Sequence, residues 1–497
     1  MSPVSVAELQ VLGPSLLVFL AAVAAMALPF AAPFARTLRG DGSAVFAGGA
    51  LVAALALTLS HVGGEGHSQA AFSGMIAADG YATFVHVVIL LSALGTLVIG
   101  HDYLKRIDVQ VPEYYSLVLF CAFGMMLLAS SNDLIMLFVA LEVMSIGLYV
   151  LCGLNRGEWK SAEGAFKYLV LGAFASAILV YGIAFIYGAV GSTDIVKIAT
   201  FVGKGHGIAE DPILAVGVAM VFVGLGFKVA VAPFHMWSPD VYQGAPVSVT
   251  AFMATGVKAA AFAAFGRFVF VAVSHSAEEW SGALAVIAGL SILVGNIAAL
   301  VQEDLKRMLA YSSVGHAGYL LMALVAVPAD GVGGNGRLGG LLFYLLAYTV
   351  MNLGAFAAVS AFTRDGADDT RIDRLAGLGQ RNPGMAVALA VVLLSLAGIP
   401  PTMGFVGKFY LFAAAVEGGH IGLAIVGALG GAIGVYYYLR PLVLMFMRPS
   451  PEGASESVHN SAGLLLRVSA VGLLLVGLLP GPILDWAQRS VASILHS

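Results

Sequence analysis

Apolar stretches of about 20 residues recur from one end of this chain to the other, and that length spans a bilayer as helix. Backbone polar groups in lipid must be satisfied within the segment or by a closed barrel. These runs are too long and too uniformly apolar for barrel strands, which alternate. The chain therefore reads as an all-α polytopic membrane protein. Composition agrees: 60% of residues are hydrophobic and 10% charged, with a mean hydropathy of +0.94, against about 25% charged in soluble domains. A net charge of −4 without a basic tail argues against nucleic acid as a partner. Cys121 and Cys152 fall inside apolar runs and read as buried thiols. No CxxC or HxxxH pattern supports a metal site. The first apolar stretch follows Glu8 without a basic leader, so it reads as a permanent span.

Hydropathy gives roughly fourteen spans, from Gly13–Phe34 to Leu464–Leu479. Lys and Arg in the loops set the orientation. Fourteen of them, including Arg36, Arg39, Lys105, Arg106, Lys306, Arg307, Arg364 and Arg371, fall in alternate loops beginning with the first. The other set holds only Lys197, Lys204, Arg337 and Arg489. The bias puts the first set in the cytoplasm and both termini outside.

The remaining six basic residues, Lys167, Lys228, Lys258, Arg267, Lys408 and Arg467, lie within or at the edge of a span. A charge near the bilayer centre costs at least about 2.5–3.5 kcal/mol and commonly marks an ion or proton path. Glu142 stands near the middle of the Asp133–Gly153 run as the only carboxylate deep in any span. Lys258 is near the middle of Val247–Val271, Lys228 lies late in its span, and His316 lies within Leu309–Val327. Arg267 and Arg467, near span ends, read as snorkelling to the interface. For Lys167, two turns into its helix, snorkelling and function are evenly matched. A structural ion pair is the plain reading of Glu142 with a lysine, but one carboxylate does not neutralise three lysines. Burial disfavours the charge on the excess amines, and an amine that sheds its proton can serve a relay.

Two spans are broken by proline. Lys228 precedes Pro233, Pro239 and Pro246 in a polar stretch. Lys408 follows Gly398-Ile399-Pro400-Pro401, and the Met385–Val416 run should be interrupted there with Lys408 facing inward. Broken helices at membrane depth are tolerated where they line a cavity, and they are a transporter feature. The lysine comes before the prolines in one break and after them in the other, so a sequence repeat is faint.

At these residues the sequence resembles the antiporter-type subunits of respiratory complex I, which are similar to the large subunits of multisubunit cation/proton antiporters. The resemblance rests on Leu137–Glu142, Phe227-Lys228 through Pro246, Val257-Lys258-Ala259, Asp304–Ser313 and Ala397–Lys408, and extends from about Tyr114 to Tyr438. Lysine at 258 and the wording around Phe234–Gln243 point to the N-type branch. The resemblance implies fourteen transmembrane helices with two inverted five-helix repeats, each centred on a discontinuous helix. It places three helices in residues 1–112, the repeats in 113–272 and 273–447, and a last helix in 448–497. It implies a bacterial inner-membrane proton translocator whose partners are other membrane-arm subunits, neighbouring antiporter-like ones included. No redox cofactor is expected in this chain; NADH, FMN, Fe–S clusters and quinone are expected in partners. Carried over by position, Glu142 and Lys228 form an acid–lysine pair, Lys258 the central relay and Lys408 the second half-channel lysine, with Lys167 and His316 in support. The alternatives are a sodium/proton antiporter subunit using the same residues, a haem or quinone protein needing paired histidines, and a passive scaffold.

Overall fold

A computed structural model describes residues 6–31, 41–62, 69–107, 109, 111–205, 207–327, 335–362, 370–450 and 460–495. Arg36, Arg39 and Arg364, used above for orientation, lie outside the described residues. In chain order the α-helices are α1 (Val6–Val11), α2 (Gly13–Ala31), α3 (Asp41–Ser60), α4 (Gly80–Arg106), α5 (Glu113–Ser130), α6 (Leu134–Cys152) and α7 (Trp159–Val190). They continue as α8 (Ile195–Gly203), α9 (Pro212–Lys228), α10 (Ser238–Gly244), α11 (Val247–Phe252), α12 (Lys258–Arg267), α13 (Ala277–Leu300), α14 (Leu305–Val325) and α15 (Asn335–Phe362). The last are α16 (Leu378–Arg381), α17 (Pro383–Ala397), α18 (Met403–Glu417), α19 (Ile421–Met447), α20 (Asn460–Leu478) and α21 (Gly481–Ala492). Among the described residues the only sheet is a two-stranded hairpin, β1 (Gln69–Ala71) with β2 (Ile76–Ala78). Among the described residues eleven helices are long and apolar enough to cross a membrane, and Gly13–Ala27, Pro212–Lys228 and Pro383–Ala397 are shorter apolar helices.

Aspartates start many of these helices. Asp79, Asp133, Asp194, Asp211 and Asp304 each accept a backbone N–H from the first turn of the helix that follows. The side chain satisfies donors that the helix cannot.

The start of α6 is also tied to the loop after α7. Leu134 donates its N–H to Thr193 O at 2.9 Å, Ile195 donates to Asn132 O at 3.1 Å, and Thr193 Oγ1 donates to Asp133 Oδ2 at 2.6 Å. The start of α14 repeats the joint against the chain after α15. Leu305 donates to Thr370 O at 2.8 Å, Ile372 donates to Glu303 O at 2.9 Å, and Thr370 Oγ1 donates to Asp304 Oδ2. In sequence the two joints read Asn132-Asp133-Leu134 with Thr193-Asp194-Ile195, and Glu303-Asp304-Leu305 with Thr370-Arg371-Ile372.

The centre of the molecule is the span Val247–Ala272, which is buried from Val247 to Phe270 and packs against α4, α5 and α15. It is not regular. A π-helical turn, Met253–Val257, precedes Lys258, and a second, Phe268–Ala272, follows Arg267. Gly256 sits in the first turn because its Cα faces other helices: a Cβ there would lie 2.9 Å from Met125 Sδ and from Ser92 Oγ.

Arg267 does not snorkel. It is 1% exposed and makes a bidentate ion pair with Asp79, Nη1 to Oδ2 at 2.7 Å and Nη2 to Oδ1 at 3.0 Å. The same aspartate caps α4, so the pair pins α4 to the central span. The C-terminal segment packs here too, and Tyr81 donates its N–H to Ser493 Oγ at 3.3 Å.

Candidate functional site

The first interruption begins where α9 ends at Lys228. The chain then runs irregularly to Trp237, with Ala230 at φ 57°, before the short α10. The freed ends find partners. The Trp237 indole donates to Phe227 O at 3.0 Å, and Ala232 N donates to Ser291 Oγ at 2.9 Å. With an indole holding the helix end, the Lys228 ammonium is directed elsewhere. It donates to Ser145 Oγ at 2.8 Å and reaches Tyr149 OH at 3.5 Å. It also sits 5.5 Å above the ring of Tyr149 and 5.5 Å above that of Tyr168, a cation–π setting worth about 2 kcal/mol when desolvated.

Glu142, expected as the acid partner of Lys228, is one turn from Ser145 on α6. Glu142 accepts from Ser176 Oγ at 2.5 Å, Lys228 bonds Ser145, and no ion pair joins them. Glu142 is half-buried near the middle of α6: it opens to the outer face of that helix, between the exposed Val139 and Ile146. Ser145, on the same helix as Glu142, is the hydrogen-bond partner of Lys228. The serine was missed in sequence because a serine within an apolar run carries no hydropathy signal.

Lys258 follows the π turn and is 1% exposed. It donates to Ser313 O on α14 and lies 5.7 Å above the Tyr348 ring. One turn along α14, His316 bonds Tyr344 OH through Nδ1 at 2.6 Å and Tyr438 OH through Nε2 at 3.0 Å. Its ring is 5.1 Å from that of Tyr348 and 5.9 Å from that of Tyr319. Lys408 lies 5.0 Å above the Tyr319 ring. Lys258, Tyr348, His316, Tyr319 and Lys408 thus form one continuous row.

The second interruption separates α17, ending at Ala397, from α18, beginning at Met403. Gly398 takes the left-handed conformation, φ 85°. Lys408 folds back from α18 and donates to Leu396 O at 2.9 Å and Ala397 O at 3.0 Å. These carbonyls are left without helical partners where α17 stops. Among the described residues Lys228, Lys258 and Lys408 make no ion pair.

Lys167 is not brought into this row. It is half-exposed and bonds Glu163 Oε1 at 2.7 Å and Asp240 Oδ2 at 2.6 Å. Asp240 Oδ1 accepts from Arg307 at 2.7 Å, so the cluster ties α7 and α14 to α10 within the first interruption. Lys306, counted above among the loop residues, is 1% exposed and donates to Ala245 O at 2.7 Å. Cys121 and Cys152 are buried and free. No group of three or more His, Cys, Asp or Glu able to hold a metal occurs among the described residues.

A bundle of membrane-crossing helices, two of them interrupted beside a buried lysine, with a third buried lysine and a histidine in a row with the second, defines an antiporter-like membrane protein. The family described as NADH:quinone oxidoreductase/Mrp antiporter, TM, matches residues 131–434. NADH-quinone oxidoreductase subunit N of Trichlorobacter lovleyi is 45% identical over 434 residues, 87% of this chain and 88% of that one. Subunit N of Bdellovibrio bacteriovorus is 38% identical over 490 residues, 98% of this chain and 99% of that one. Among solved structures, a chain of respiratory complex I from Thermus thermophilus with bound aureothin superposes with a TM-score of 0.80 at 38% identity, covering 95% of this chain and 98% of that one. A chain of the Mrp complex from Dietzia has a TM-score of 0.85 at 22% identity, covering 98% and 97%, which is a likeness of fold. The chain belongs to the NADH:quinone oxidoreductase/Mrp antiporter transmembrane family and, within it, to the subunit N group.

Proposed function

We propose that this chain is a proton-translocating subunit in the membrane arm of a bacterial NADH:quinone oxidoreductase. It moves protons across the inner membrane while the redox reaction, with its NADH, FMN, Fe–S clusters and quinone, runs in partner subunits. The observation that carries the reading is the set of three buried lysines without an ion-pair partner among the described residues, two of them at helix interruptions. A buried ammonium with no counter-charge is costly. An amine that passes its proton along a polar row escapes that cost and does useful work in doing so. Glu142, Lys228, Lys258, His316 and Lys408 are the relay. Lys167 acts at its edge, and the breaks at Pro233 and at Pro400-Pro401 expose the groups that line it.

The chain crosses the membrane fourteen times, with α9–α10 and α17–α18 each forming one discontinuous crossing. Residues 113–272 and 273–447 are two inverted repeats, preceded by three helices in 1–112 and followed by the last in 448–497. The matching joints at Asp133–Thr193 and Asp304–Thr370 support the repeat. The loop charges support outward termini. Glu142, open on the outer face of α6, meets a neighbouring membrane-arm subunit.

The test is NADH-driven proton uptake by the intact complex in vesicles carrying Lys258→Ala or Lys408→Ala. Both variants should lose uptake, and NADH oxidation should fall with it. Uptake at the unmodified level in both would reject the relay. A strict sodium requirement would move the chain to a sodium/proton antiporter role.

A further inference from the structure

Glu142, Ser145 and Tyr149 stand three and four residues apart on α6, so they form one stripe along that helix. Tyr168, Gly172 and Ser176 stand four apart on α7 and meet the stripe. Ser176 Oγ donates to Glu142 at 2.5 Å, and the rings of Tyr149 and Tyr168 cross edge-on with centroids 4.9 Å apart. Gly172 makes room for Tyr149, because a Cβ there would collide with the tyrosine hydroxyl. Lys228 enters from the end of α9 over both rings, and its ammonium donates to Ser145 Oγ at 2.8 Å. The Tyr149 hydroxyl, at 3.5 Å, is beyond ordinary bonding range. Among the described residues Ser145 is therefore the one close acceptor that Lys228 has.

What Ser145 can do is narrow. It is fully buried, and its hydroxyl hydrogen goes back to Leu141 O on the preceding turn. Only the oxygen lone pairs are left for Lys228, so the serine accepts from the lysine and does not donate to it. Glu142, one turn away on the same helix, is an acceptor as well, but a charged one, and its Oε1 takes the Ser176 hydrogen. The two acceptors ask different things of a lysine. A carboxylate binds an ammonium far better than a neutral amine, and pairing with it fastens the proton to the lysine. A hydroxyl oxygen has no net charge and accepts an N–H from the ammonium and from the neutral amine alike.

We propose that Ser145 is a positioning residue for Lys228, holding the lysine by a bond that outlasts a change in its charge and keeping it off the carboxylate of Glu142. The inference rests on the proton-translocating reading above and adds to it the side chain that sets where Lys228 stands. With Ser145 present, the lysine keeps its place over Tyr149 and Tyr168 whether or not it carries the proton. Without it, the strong acceptor left on the α6 stripe is Glu142, which favours the ammonium alone.

The experiment uses the intact complex in vesicles and measures the rate of NADH-driven proton uptake per assembled complex. Ser145→Thr keeps a hydroxyl that in a helix bonds the same preceding turn, and adds one methyl. Ser145→Ala removes the oxygen with little change in packing. Ser145→Cys stays close to serine in shape but offers a sulfur that accepts weakly. The threonine variant should pump within about twofold of the unmodified complex. The alanine and cysteine variants should pump at least about tenfold more slowly, as a reacting group misplaced by about 1 Å loses up to roughly a hundredfold. A purely structural serine predicts the reverse order, with Ala and Cys tolerated among apolar neighbours and Thr damaging through its methyl, and that result overturns the proposal. Full uptake in Ser145→Cys overturns it even where Ser145→Ala fails to assemble. Lys258→Ala runs alongside. If it abolishes uptake while Ser145→Ala and Ser145→Cys pump at the unmodified rate, the role given to Ser145 is wrong and the lysine relay stands. If Lys258→Ala pumps normally, the relay itself is wrong.

Discussion

Removing Arg267 or Asp79 singly should harm the protein more than removing both. The pair is 1% and 0% exposed, bidentate, and set between the start of α4 and the end of the central span. Arg267→Leu leaves the Asp79 carboxylate buried with its bond from Ala82 N at 2.7 Å but without a counter-charge. Breaking one side of a buried pair costs about 3–5 kcal/mol. Asp79→Ala strands the guanidinium, whose remaining neighbour is the Tyr81 ring at 5.4 Å. It also removes the α4 cap, worth about 1 kcal/mol, for a total of about 4–6 kcal/mol. Domains are stable by only about 5–15 kcal/mol, so each single change should visibly lower the amount of chain assembled. In the double variant no unpaired charge remains, and the cost should drop to the cap and the lost packing. The assay is the thermal midpoint at which the detergent-purified complex loses this subunit, read by size-exclusion chromatography. The expected order, least stable first, is Asp79→Ala, Arg267→Leu, then the double variant. A double variant as unstable as the two single losses added together would show that the groups act independently, and the clamp reasoning would fail.

Four further outcomes are expected. Glu142→Gln keeps an acceptor for Ser176 and Lys228→Ala frees Ser145, so both variants should assemble yet show reduced NADH-driven proton uptake; normal uptake in both would remove the two residues from the relay. Lys408→Ala uncaps two buried carbonyls at about 1–3 kcal/mol each and should lower the thermal midpoint, and Lys408→Arg should recover it. An unchanged midpoint in the alanine variant would contradict the cap. Asp133→Ala and Asp304→Ala each lose an N-cap and a threonine partner and should cost about 1–2 kcal/mol each, so clearly unequal midpoints would argue that the two joints are not counterparts. Lys167→Ala breaks partly exposed ion pairs worth up to about 1 kcal/mol together with solvent screening. It should shift the midpoint slightly, and less at high salt; a pumping defect as deep as that of Lys228→Ala would put Lys167 back in the central row.

The membrane-crossing character was legible because hydropathy is additive along a helix, and both interruptions were legible because prolines and glycines leave no alternative. The buried lysines were legible for the same reason, as charges in apolar text. The rest depends on which helices meet. Tyrosine and serine pass as members of an apolar run, so Tyr168, Tyr348, Ser145 and Ser313 carried no signal until α6, α7, α14 and α15 were assembled around Lys228 and Lys258. Arg267 read as a snorkelling residue because its partner, Asp79, is 188 positions away. The π turn before Lys258 left only Gly256 as a trace. The joints at Asp133 and Asp304 did have a sequence trace, an Asp-Leu pair followed much later by Thr-x-Ile, but the shared residues are too few to stand out unaligned. The short α8 and the terminal α21 were not foreseen; neither is a membrane-length apolar run.

Lys408 holds the end of α17 with two of its N–H bonds, and the geometry of that grip decides which proton is available. An ammonium has three N–H bonds and a neutral amine has two. With Leu396 O and Ala397 O taking one each, the third bond is the one not committed to the carbonyls. Losing that proton leaves the two carbonyls bonded and puts a lone pair where the proton was. Lys408 can therefore change charge without letting go of the helix. Lys228, whose helix end is held by the Trp237 indole instead, spends its hydrogen bond on the Ser145 side chain and not on the end of its own helix. The two lysines are thus different devices, one fastened to the backbone of a helix end, the other to a side chain on a neighbouring helix.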